Sequence, residues 1–249
     1  MGNLATGRNA FPTTRWTLVV SAGSDHSRLE RGAALESLCR SYWYPVYAFV
    51  RRRGYPPEQA QDLTQDFFLN ILDGTFFGRA NPEKGRFRSF LLGAVQNFLS
   101  DANERQRSQK RGGGVPPLSF DFENGESNYL HEPRHAETPE RIFQRKWART
   151  LLDGVMGNLR DEFLDDGKLE FFSRIKGYLA GDGDLKYAEL ANELNLTESG
   201  IKSAIRRTRQ RYRDLLRAEV ASTVGDASEV DEELRFLLRA ISTQPLEAK

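Results

Sequence analysis

Cysteine and histidine are scarce in this sequence. Its 249 residues include one cysteine, Cys39, and three histidines. A lone cysteine excludes an internal disulfide and a cysteine-based zinc site. Cys39 stands just before the aromatic run Tyr42-Trp43-Tyr44. We expect it to be a small apolar residue in the core of a protein that is kept reduced.

The signatures of enzymes are also missing. The sequence has no glycine-rich phosphate loop, no nucleophile elbow and no zinc signature. His131 and His135 lie in a proline-containing stretch without a cysteine cluster. Asp182-Gly183-Asp184 with Glu193 begins like a calcium loop, but Lys186-Tyr187 stands where Asp or Asn and then Gly are needed. We therefore expect no catalytic residue, no metal and no cofactor.

Long apolar runs and a large net charge are absent as well. No segment approaches the length of a membrane span, and the start lacks the apolar core of a signal peptide. We expect no membrane contact and a cytoplasmic location. Lys and Arg number 36 against 35 for Asp and Glu. Because the totals balance, the distribution of the charges has to indicate any polyanionic partner.

Helical spacing of apolar residues runs through nearly the whole chain. Sustained alternation with a period of two is absent, so the fold is predicted to be all-α. Helices are predicted from 28 to 53, from 56 to 72 and from 87 to about 107. Pro45 is expected to kink the first helix or to break it in two, and Gly54 to close it.

A stretch rich in Gly, Pro, Ser and acidic residues interrupts the helical pattern. It runs from 112 to 138 and is typical of a flexible linker. The pattern resumes at Thr138-Pro139-Glu140, where Thr caps and Pro occupies the first helical position. We predict two small helical domains, divided as an N-terminal domain 1–111, a linker 112–138, a C-terminal domain 139–220 and an extension 221–249.

The segment 184–220 has the spacing of a helix-turn-helix. A short helix is predicted up to Leu194 and a longer one from Glu198 onward. Asn195 stands where the tight turn between them needs a left-handed residue, and Asn tolerates that conformation better than most.

A row of cations follows one side of the longer helix. It lies one position after the apolar row, and its members are Lys202, Arg206, Arg209 and Arg213. At roughly 100° per residue, the cations lie beside the buried face, where they could reach phosphates and base edges. A solvated basic face is the alternative, and the preceding short helix and turn favour DNA binding over it.

Three motifs resemble the extracytoplasmic-function (ECF) group of bacterial RNA polymerase sigma factors. YAELANELNLTESGIKSAIRRTRQRYRDLL is similar to their C-terminal domain, which reads the upstream promoter element. DLTQDFFLNIL resembles the helix that docks on the polymerase clamp, and KGRFRSFLLGAVQNFLSDANERQRSQKR the helix that reads and melts the downstream element. The resemblance implies a sigma factor that is no enzyme, whose partners are core RNA polymerase and promoter DNA, with an anti-sigma factor as a further candidate.

Other segments resemble a subgroup common in planctomycete-like bacteria. They are FPTTRWTLV, YWYPVYAFVRRRGY and VDEELRFLLRAIS. The chain departs from simpler members of the group in its longer aromatic loop, 73–84, and in its extension beyond about Val220.

The resemblance assigns two sets of surface contacts. The C-terminal domain is predicted to contact the upstream element at Glu198, Ser199, Lys202, Ser203, Arg206, Arg207, Arg209 and Arg213. The exposed face of the second helix is predicted to contact core polymerase at Asp62, Gln65, Asp66 and Leu69.

A third set is predicted to read and open the downstream element. Unstacked bases are caught by aromatic faces, worth about 1–3 kcal/mol each, while cations hold the strand. The candidates are Phe76, Phe77, Arg79, Arg86, Phe87, Arg88, Phe90, Asn97, Arg105, Arg107, Lys110 and Arg111. As alternatives, Phe87 and Phe90 are core residues, and Asn97 makes only a local hydrogen bond.

Two other functions compete with the sigma factor. One is a stand-alone helix-turn-helix regulator, and the other is an interaction module that sequesters polymerase. A stand-alone regulator needs neither the acidic face around Asp62 nor the aromatic loop 73–84.

The C-terminal extension is predicted to contain a short amphipathic helix. Three acids, 231–233, precede an apolar row formed by Leu234, Leu237, Leu238 and Ile241. A helix this short has to dock to be stable. Either it folds back on the C-terminal domain and restrains DNA binding, or it completes that domain's core.

Overall fold

The computed structural model describes residues 28–72, 85–106, 119–131, 137–180 and 187–242. These residues form helices joined by turns, with no strand among them, so the predicted all-α fold is confirmed. The helices are α1 (Arg28–Arg52), α2 (Pro57–Leu72), α3 (Phe87–Gln106), α4 (Phe122–Leu130), α5 (Pro139–Asp165), α6 (Leu169–Ala180), α7 (Tyr187–Glu193), α8 (Glu198–Ala221) and α9 (Val230–Ser242). A short 3-10 turn, Ala227–Glu229, precedes α9.

The chain divides into two compact units. The first unit comprises Met1–Ala148 and Ala221–Lys249, and the second comprises Arg149–Val220. One crossing between the units falls within α5, and the other at the end of α8. The second unit therefore begins about ten residues after the predicted start of the C-terminal domain at 139, and the extension groups with the first unit.

An aromatic cluster fills the core of the first unit and explains where the first half of α5 belongs. Tyr42 of α1 stacks on Trp147 of α5 with ring centroids 4.1 Å apart. Phe143 of α5 meets Phe49 of α1 edge to face at 6.3 Å. All four rings are buried. Burial of such large side chains contributes strongly to stability. The sequence reveals the apolar face of α5, but it does not reveal which core that face joins.

Helix α1 continues through Pro45. Of the two outcomes predicted there, a break is excluded, because one helix spans Arg28–Arg52. A proline inside a helix removes one hydrogen bond and costs about 3 kcal/mol. The five residues after it, Val46, Tyr47, Ala48, Phe49 and Val50, have no exposed surface, and their packing offsets that cost. The helix ends near Gly54 with φ +96°, which confirms the predicted terminator.

Helix α4 lies inside the stretch that was predicted to be an irregular linker, and for 122–130 that prediction is wrong. Asp121 caps the helix by accepting a hydrogen bond from the Asn124 backbone N–H at 3.2 Å. Gly125 faces Trp43 of α1 so closely that a Cβ atom there would lie 2.7 Å from the indole ring. Only glycine permits this approach, and in the sequence the same glycine reads as a linker residue.

Ion pairing also holds α4 on α1. Glu126 accepts hydrogen bonds from Arg51 at 2.8 and 2.7 Å and from the Tyr47 hydroxyl at 2.5 Å. The Arg51 guanidinium lowers the pKa of the Glu126 carboxyl, while burial and the same carboxylate raise the pKa of Tyr47. The half of the predicted linker that contains α4 is thus packed on the first unit.

The second unit has a mainly aliphatic core formed by α6, α7 and α8. Phe163, Phe171, Tyr187 and Leu194 pack around its edge. The buried residues are Ile175, Tyr178, Leu190, Ala191, Ile201 and Ile205. This core fixes the orientation of α8, the helix with the predicted row of cations.

Candidate nucleic-acid interface

A tight turn joins the short helix α7 to the long helix α8. The backbone N–H groups of Leu194 and Leu196 donate to the carbonyls of Leu190 and Ala191 at 3.1 and 2.9 Å. Asn195 between them has φ +52°, so the predicted left-handed residue is confirmed. The turn is therefore closed by α7 carbonyls and by a residue type that accepts the strained backbone conformation.

Thr197 starts helix α8. Its hydroxyl accepts a hydrogen bond from the Gly200 backbone N–H at 3.1 Å, which satisfies a free donor of the first turn. Glu198 lies in that turn and pairs with Lys202 at 2.5 Å. Both side chains are about half exposed. Such exposed pairs contribute little, so a stronger anion can exchange for the carboxylate.

The cations of α8 are only partly arranged as predicted. Ile201, Ile205 and Thr208 are buried against the unit, and Lys202, Arg206 and Arg213 are exposed beside them. Four further candidates lie on the same helix: Ser199 and Arg207 are exposed, Ser203 is half-buried and Glu198 is exposed. Arg207 donates to the Ser203 hydroxyl at 3.0 Å.

Arg209 differs from the other predicted phosphate contacts. Its guanidinium turns toward α6 and donates from Nε and Nη2 to the Tyr178 carbonyl at 3.2 and 2.5 Å. That carbonyl is in the last turn of α6, where carbonyls lack partners within the helix. Because Arg209 follows the buried Thr208 directly, its side chain reaches α6, and its observed role is to join two helices.

A groove next to α8 was missed by sequence reasoning. It has a volume of about 600 Å³ and lies between the end of α5, the start of α6 and α8. Phe163 and Phe171 form its apolar wall, and Leu196 in the turn is 48% exposed. Arg211 lines it while paired with Glu162 at 2.9 Å. The exposed leucine in a polar turn was the available signal.

The predicted polymerase-binding residues share the outer face of α2. Asp62 and Asp66 are exposed, and Gln65 and Leu69 are half-buried. The opposite face is buried and contains Leu63, Phe67, Phe68 and Ile71. Partial desolvation, together with the neighbouring Asp62 carboxylate, raises the pKa of Asp66. The outer face of α2 therefore carries two exposed carboxylates that repel each other.

Phe87 is a core residue, which is the alternative that the sequence left open, and its burial gives no support to a base-stacking role. Its side chain is 1% exposed and lies 5.9 Å from Tyr42 and 5.7 Å from Trp147, measured between ring centroids. No ring face is left for a base. Phe90 is half-buried, with its ring centroid 6.2 Å from that of Phe87, and Asn97 is exposed. Stacking by Phe90 and base contact by Asn97 stay predictions.

Arg86 and Arg88 at the start of α3 are covered by the C-terminal segment. Arg88 is 8% exposed and donates to Glu233 at 2.6 and 3.2 Å. Arg86 pairs with Glu232 at 2.8 Å and with Glu233 at 3.1 Å. Arg88 is therefore not open to DNA in this arrangement of the chain, and its contact with the downstream element stays a prediction.

These contacts also show that the C-terminal extension packs on a different domain from the one predicted. Both alternatives placed α9 on the C-terminal domain, whereas its acidic first turn, 231–233, contacts the start of α3 in the first unit. An acidic turn complements any basic segment, so the local sequence could not select between α8 and α3.

The remaining candidates lie outside the described residues. They are Phe76, Phe77, Arg79, Arg107, Lys110 and Arg111. Arg105 belongs to the last turn of α3, but the structure does not describe its side chain. His135 and 182–184 also lie outside the described residues.

The described residues also bear on two other classes of site. Within residues 28–72, 85–106, 119–131, 137–180 and 187–242, no group of three or more His, Cys, Asp or Glu side chains could hold a metal ion. Across the same described ranges, no helix is long and apolar enough to cross a membrane.

Comparison with known proteins gives a distant relative. The geometry above is that of an all-α protein with a basic helix following a short helix and a tight turn. Over 211 residues the chain is 24% identical to the ECF RNA polymerase sigma factor SigE of Mycolicibacterium smegmatis, and the match covers 85% of this chain and 71% of the relative. No family model and no solved structure matches the chain. The similarity supports a role in transcription initiation, and the planctomycete-type subgroup stays a prediction.

Proposed function

We propose that the protein is an ECF-type sigma factor, which directs RNA polymerase to specific promoters and assists DNA opening. The observation that carries the proposal is helix α8, whose buried face is held by α6 and α7 while Lys202, Arg206 and Arg213 remain exposed. Similarity to a sigma factor over 85% of the chain supports it, because a match of that length includes residues of both compact units. A helix placed in this way fits the major groove of B-DNA.

In this proposal, the second unit recognises the upstream promoter element. The exposed cations of α8 neutralise phosphates, and the polar residues of its first turns, among them Ser199 and Ser203, face base edges. Phosphate contacts supply most of the affinity and make it dependent on salt, whereas base contacts supply the specificity. Arg209 positions α8 on α6 and takes no phosphate.

The first unit contacts polymerase and the downstream element. The outer face of α2, with Asp62, Gln65, Asp66 and Leu69, docks on core polymerase. Helix α3 and the loop 73–84 bind the strand that is exposed when the duplex opens. The protein acts without catalysis of its own and in the cytoplasm, where core polymerase is found.

Two competing functions lead to different measurements. A stand-alone regulator binds promoter DNA without polymerase and gains nothing from the acidic face of α2. A sequestering module binds core polymerase and suppresses transcription. The acidic outer face of α2 favours a polymerase partner over the stand-alone regulator, and the exposed cations of α8 favour a DNA reader over the sequestering module.

The test is transcription from a promoter library by purified core polymerase. The full chain should select a small set of promoters and initiate at them, and Arg206→Ala should lose most of that transcription. Arg160→Ala is the matched control, because Arg160 is an exposed arginine on α5 of the same unit with one surface pair. Core polymerase that initiates equally well without the chain, or an Arg160→Ala loss as large as that of Arg206→Ala, would contradict the proposal.

Polymerase docking is tested separately. Reversal of both charges, Asp62→Lys with Asp66→Lys, should weaken binding to core polymerase at least tenfold while the helical circular dichroism stays unchanged, since exposed substitutions rarely cost more than about 0.5 kcal/mol. Asp62→Lys alone and Asp66→Lys alone are compared with Glu123→Lys, the reversal of one exposed acid on α4, which should leave the affinity unchanged. Unchanged affinity in the double variant rejects this face as the docking surface.

A further inference from the structure

The C-terminal segment is firmly packed on the first unit. The backbone N–H of Phe87, the first residue of α3, donates to the carbonyl of Thr223 at 2.9 Å. Thr223 itself is buried, and so are Val224, Val230 and Leu237 farther along the segment. The segment therefore has its own apolar anchor and does not depend on charge alone for its position.

Charged groups fill the junction between α9 and α3. Glu233, 1% exposed, accepts hydrogen bonds from Arg88 at 2.6 and 3.2 Å and forms an ion pair with Arg86 at 3.1 Å. Glu232 accepts from Arg86 at 2.8 Å. The Arg88 guanidinium also lies 3.5 Å from the ring centroid of Phe236. Two guanidinium groups are thereby occupied by two carboxylates of one helical turn.

The carboxylates bind as the phosphates of a nucleic-acid strand would. A guanidinium takes a carboxylate or a phosphate through the same fork of two parallel N–H donors. Arg86 and Arg88 stand at the start of α3, and the acids 231–233 bring a row of negative charge to them. The first turn of α9 thus occupies the cations that a single strand passing α3 needs.

The composition of the junction suits an exchangeable contact. Val230 and Leu237 of α9 are buried, but at its first turn the contact with α3 is made by two glutamates and two arginines. A buried ion pair gives little net stability compared with apolar packing of the same volume, while its loss leaves charges that a new anion can satisfy. On the outer side of α9, Leu238 is 57% exposed.

We propose that α9 is an autoinhibitory segment, which masks Arg86 and Arg88 with the carboxylates of Glu232 and Glu233 and keeps them from the phosphates of single-stranded DNA. The inference rests on the proposed sigma function for the identity of the strand. The masking is a property of the free chain and is measured without polymerase. Displacement of α9 opens the start of α3 to the strand.

The experiment measures binding of a fluorescent oligothymidylate of about twelve nucleotides to the free chain over a range of salt concentrations. Three variants release the mask: Glu232→Gln with Glu233→Gln, Leu237→Ala, and truncation after Ala221. Leu237→Ala loosens α9 without changing net charge. Each should bind several-fold more tightly than the native chain, and the plot of log affinity against log salt should steepen by about 1.4, because two phosphates at about 0.7 each are newly contacted.

Two controls separate unmasking from a general change of charge or stability. Glu123→Gln with Glu126→Gln removes the same number of negative charges from α4 of the same unit but leaves Arg86 and Arg88 paired with α9, so it should leave affinity for the strand unchanged. Arg86→Ala with Arg88→Ala, added to the released chain, should abolish the gain. Circular dichroism verifies that each variant is folded.

The affinities of the variants for the strand test the masking of Arg86 and Arg88. A gain in the glutamine and Leu237→Ala variants that disappears with Arg86 and Arg88 supports masking. No gain in these folded variants, a gain that survives loss of both arginines, or an equal gain in the α4 control overturns it. Failure of the chain to direct transcription would refute the proposed function without changing these affinities. A chain that initiates transcription but shows no gain refutes the inference alone.

Discussion

Arg88 on α3 and Arg206 on α8 are both arginines on helices that bury their apolar side, but their surroundings are opposite. Arg88 is 8% exposed, held by Glu233 and covered by the ring of Phe236. Arg206 is exposed. The residue that covers Arg88 is 145 positions away in the chain. A basic residue at a favourable helical position is therefore a free contact only if no distant acidic segment has been brought to it.

The largest effect is expected when Glu233, the residue that covers Arg88, is replaced. Glu233→Leu leaves the buried guanidinium of Arg88 without its bidentate carboxylate. Loss of one partner of a buried ion pair costs about 3–5 kcal/mol. We expect that cost in the local stability of 222–242, measured by hydrogen exchange. Adding Arg88→Met should recover most of it, because an apolar pair of similar volume is often neutral. Equal protection of the single variant and the native chain would contradict the buried pair.

A smaller loss of stability is expected within α8, where Arg209 has a structural contact and Arg206 is exposed. Arg209→Ala removes both guanidinium donors from the Tyr178 carbonyl and should lower the free energy of unfolding by about 1–3 kcal/mol. Arg206→Ala, three positions earlier on the exposed side, should change it by less than about 0.5 kcal/mol. Urea unfolding of the two variants checks this, and equal losses would show that Arg209 is not a structural link.

The sequence predicted the elements whose cause is local. Helices α2, α3 and α8 follow apolar spacing, and Asn195 follows from the need for a left-handed residue in the turn. The outward direction of Asp62 and Asp66 likewise follows from the opposite apolar row. Each of these depends on residues within a few turns of one another, which periodicity captures.

Contacts between distant segments were not predictable in the same way. Helix α4 depends on Gly125 meeting Trp43 and on Glu126 meeting Arg51. Arg51 lies 75 residues before Glu126 in the chain. The junction of Glu233 with Arg88 depends on the same kind of distant contact. In the sequence, these residues appear as a linker glycine and as ordinary surface charges, because one sequence carries no signal of which partner is brought near.

DNA binding should also distinguish Arg206 from Arg209 of α8, through the salt dependence of the affinity rather than through stability. Arg206→Ala should weaken binding of duplex upstream-element DNA and reduce the slope of log affinity against log salt by about one, since one phosphate contact is lost. Arg209→Ala should leave that slope unchanged, because its guanidinium is already engaged by Tyr178. Fluorescence anisotropy over a salt series measures the affinity and the slope. A reduced slope in the Arg209→Ala chain would mean that Arg209 contacts a phosphate.

The smallest effect is expected at Glu232, at the exposed edge of the covered arginines. Its hydrogen bond to Arg86 lowers the pKa of the Glu232 carboxyl below the ordinary value. A lowered pKa means that the contact stabilises the docked tail fully above the ordinary pKa of glutamate, about 4.3, and that this contribution is lost as pH falls through the lowered pKa. An NMR titration of carboxyl-labelled glutamate should therefore find Glu232 titrating below that value, and Arg86→Ala should return it there. Asp226 of the same segment, whose pKa is lowered through Ser228, should keep its titration in the Arg86→Ala chain and is the internal control. If Glu232 titrates at the ordinary value in the native chain, its contact with Arg86 does not persist in solution, and the masking of α3 then depends on Glu233 alone.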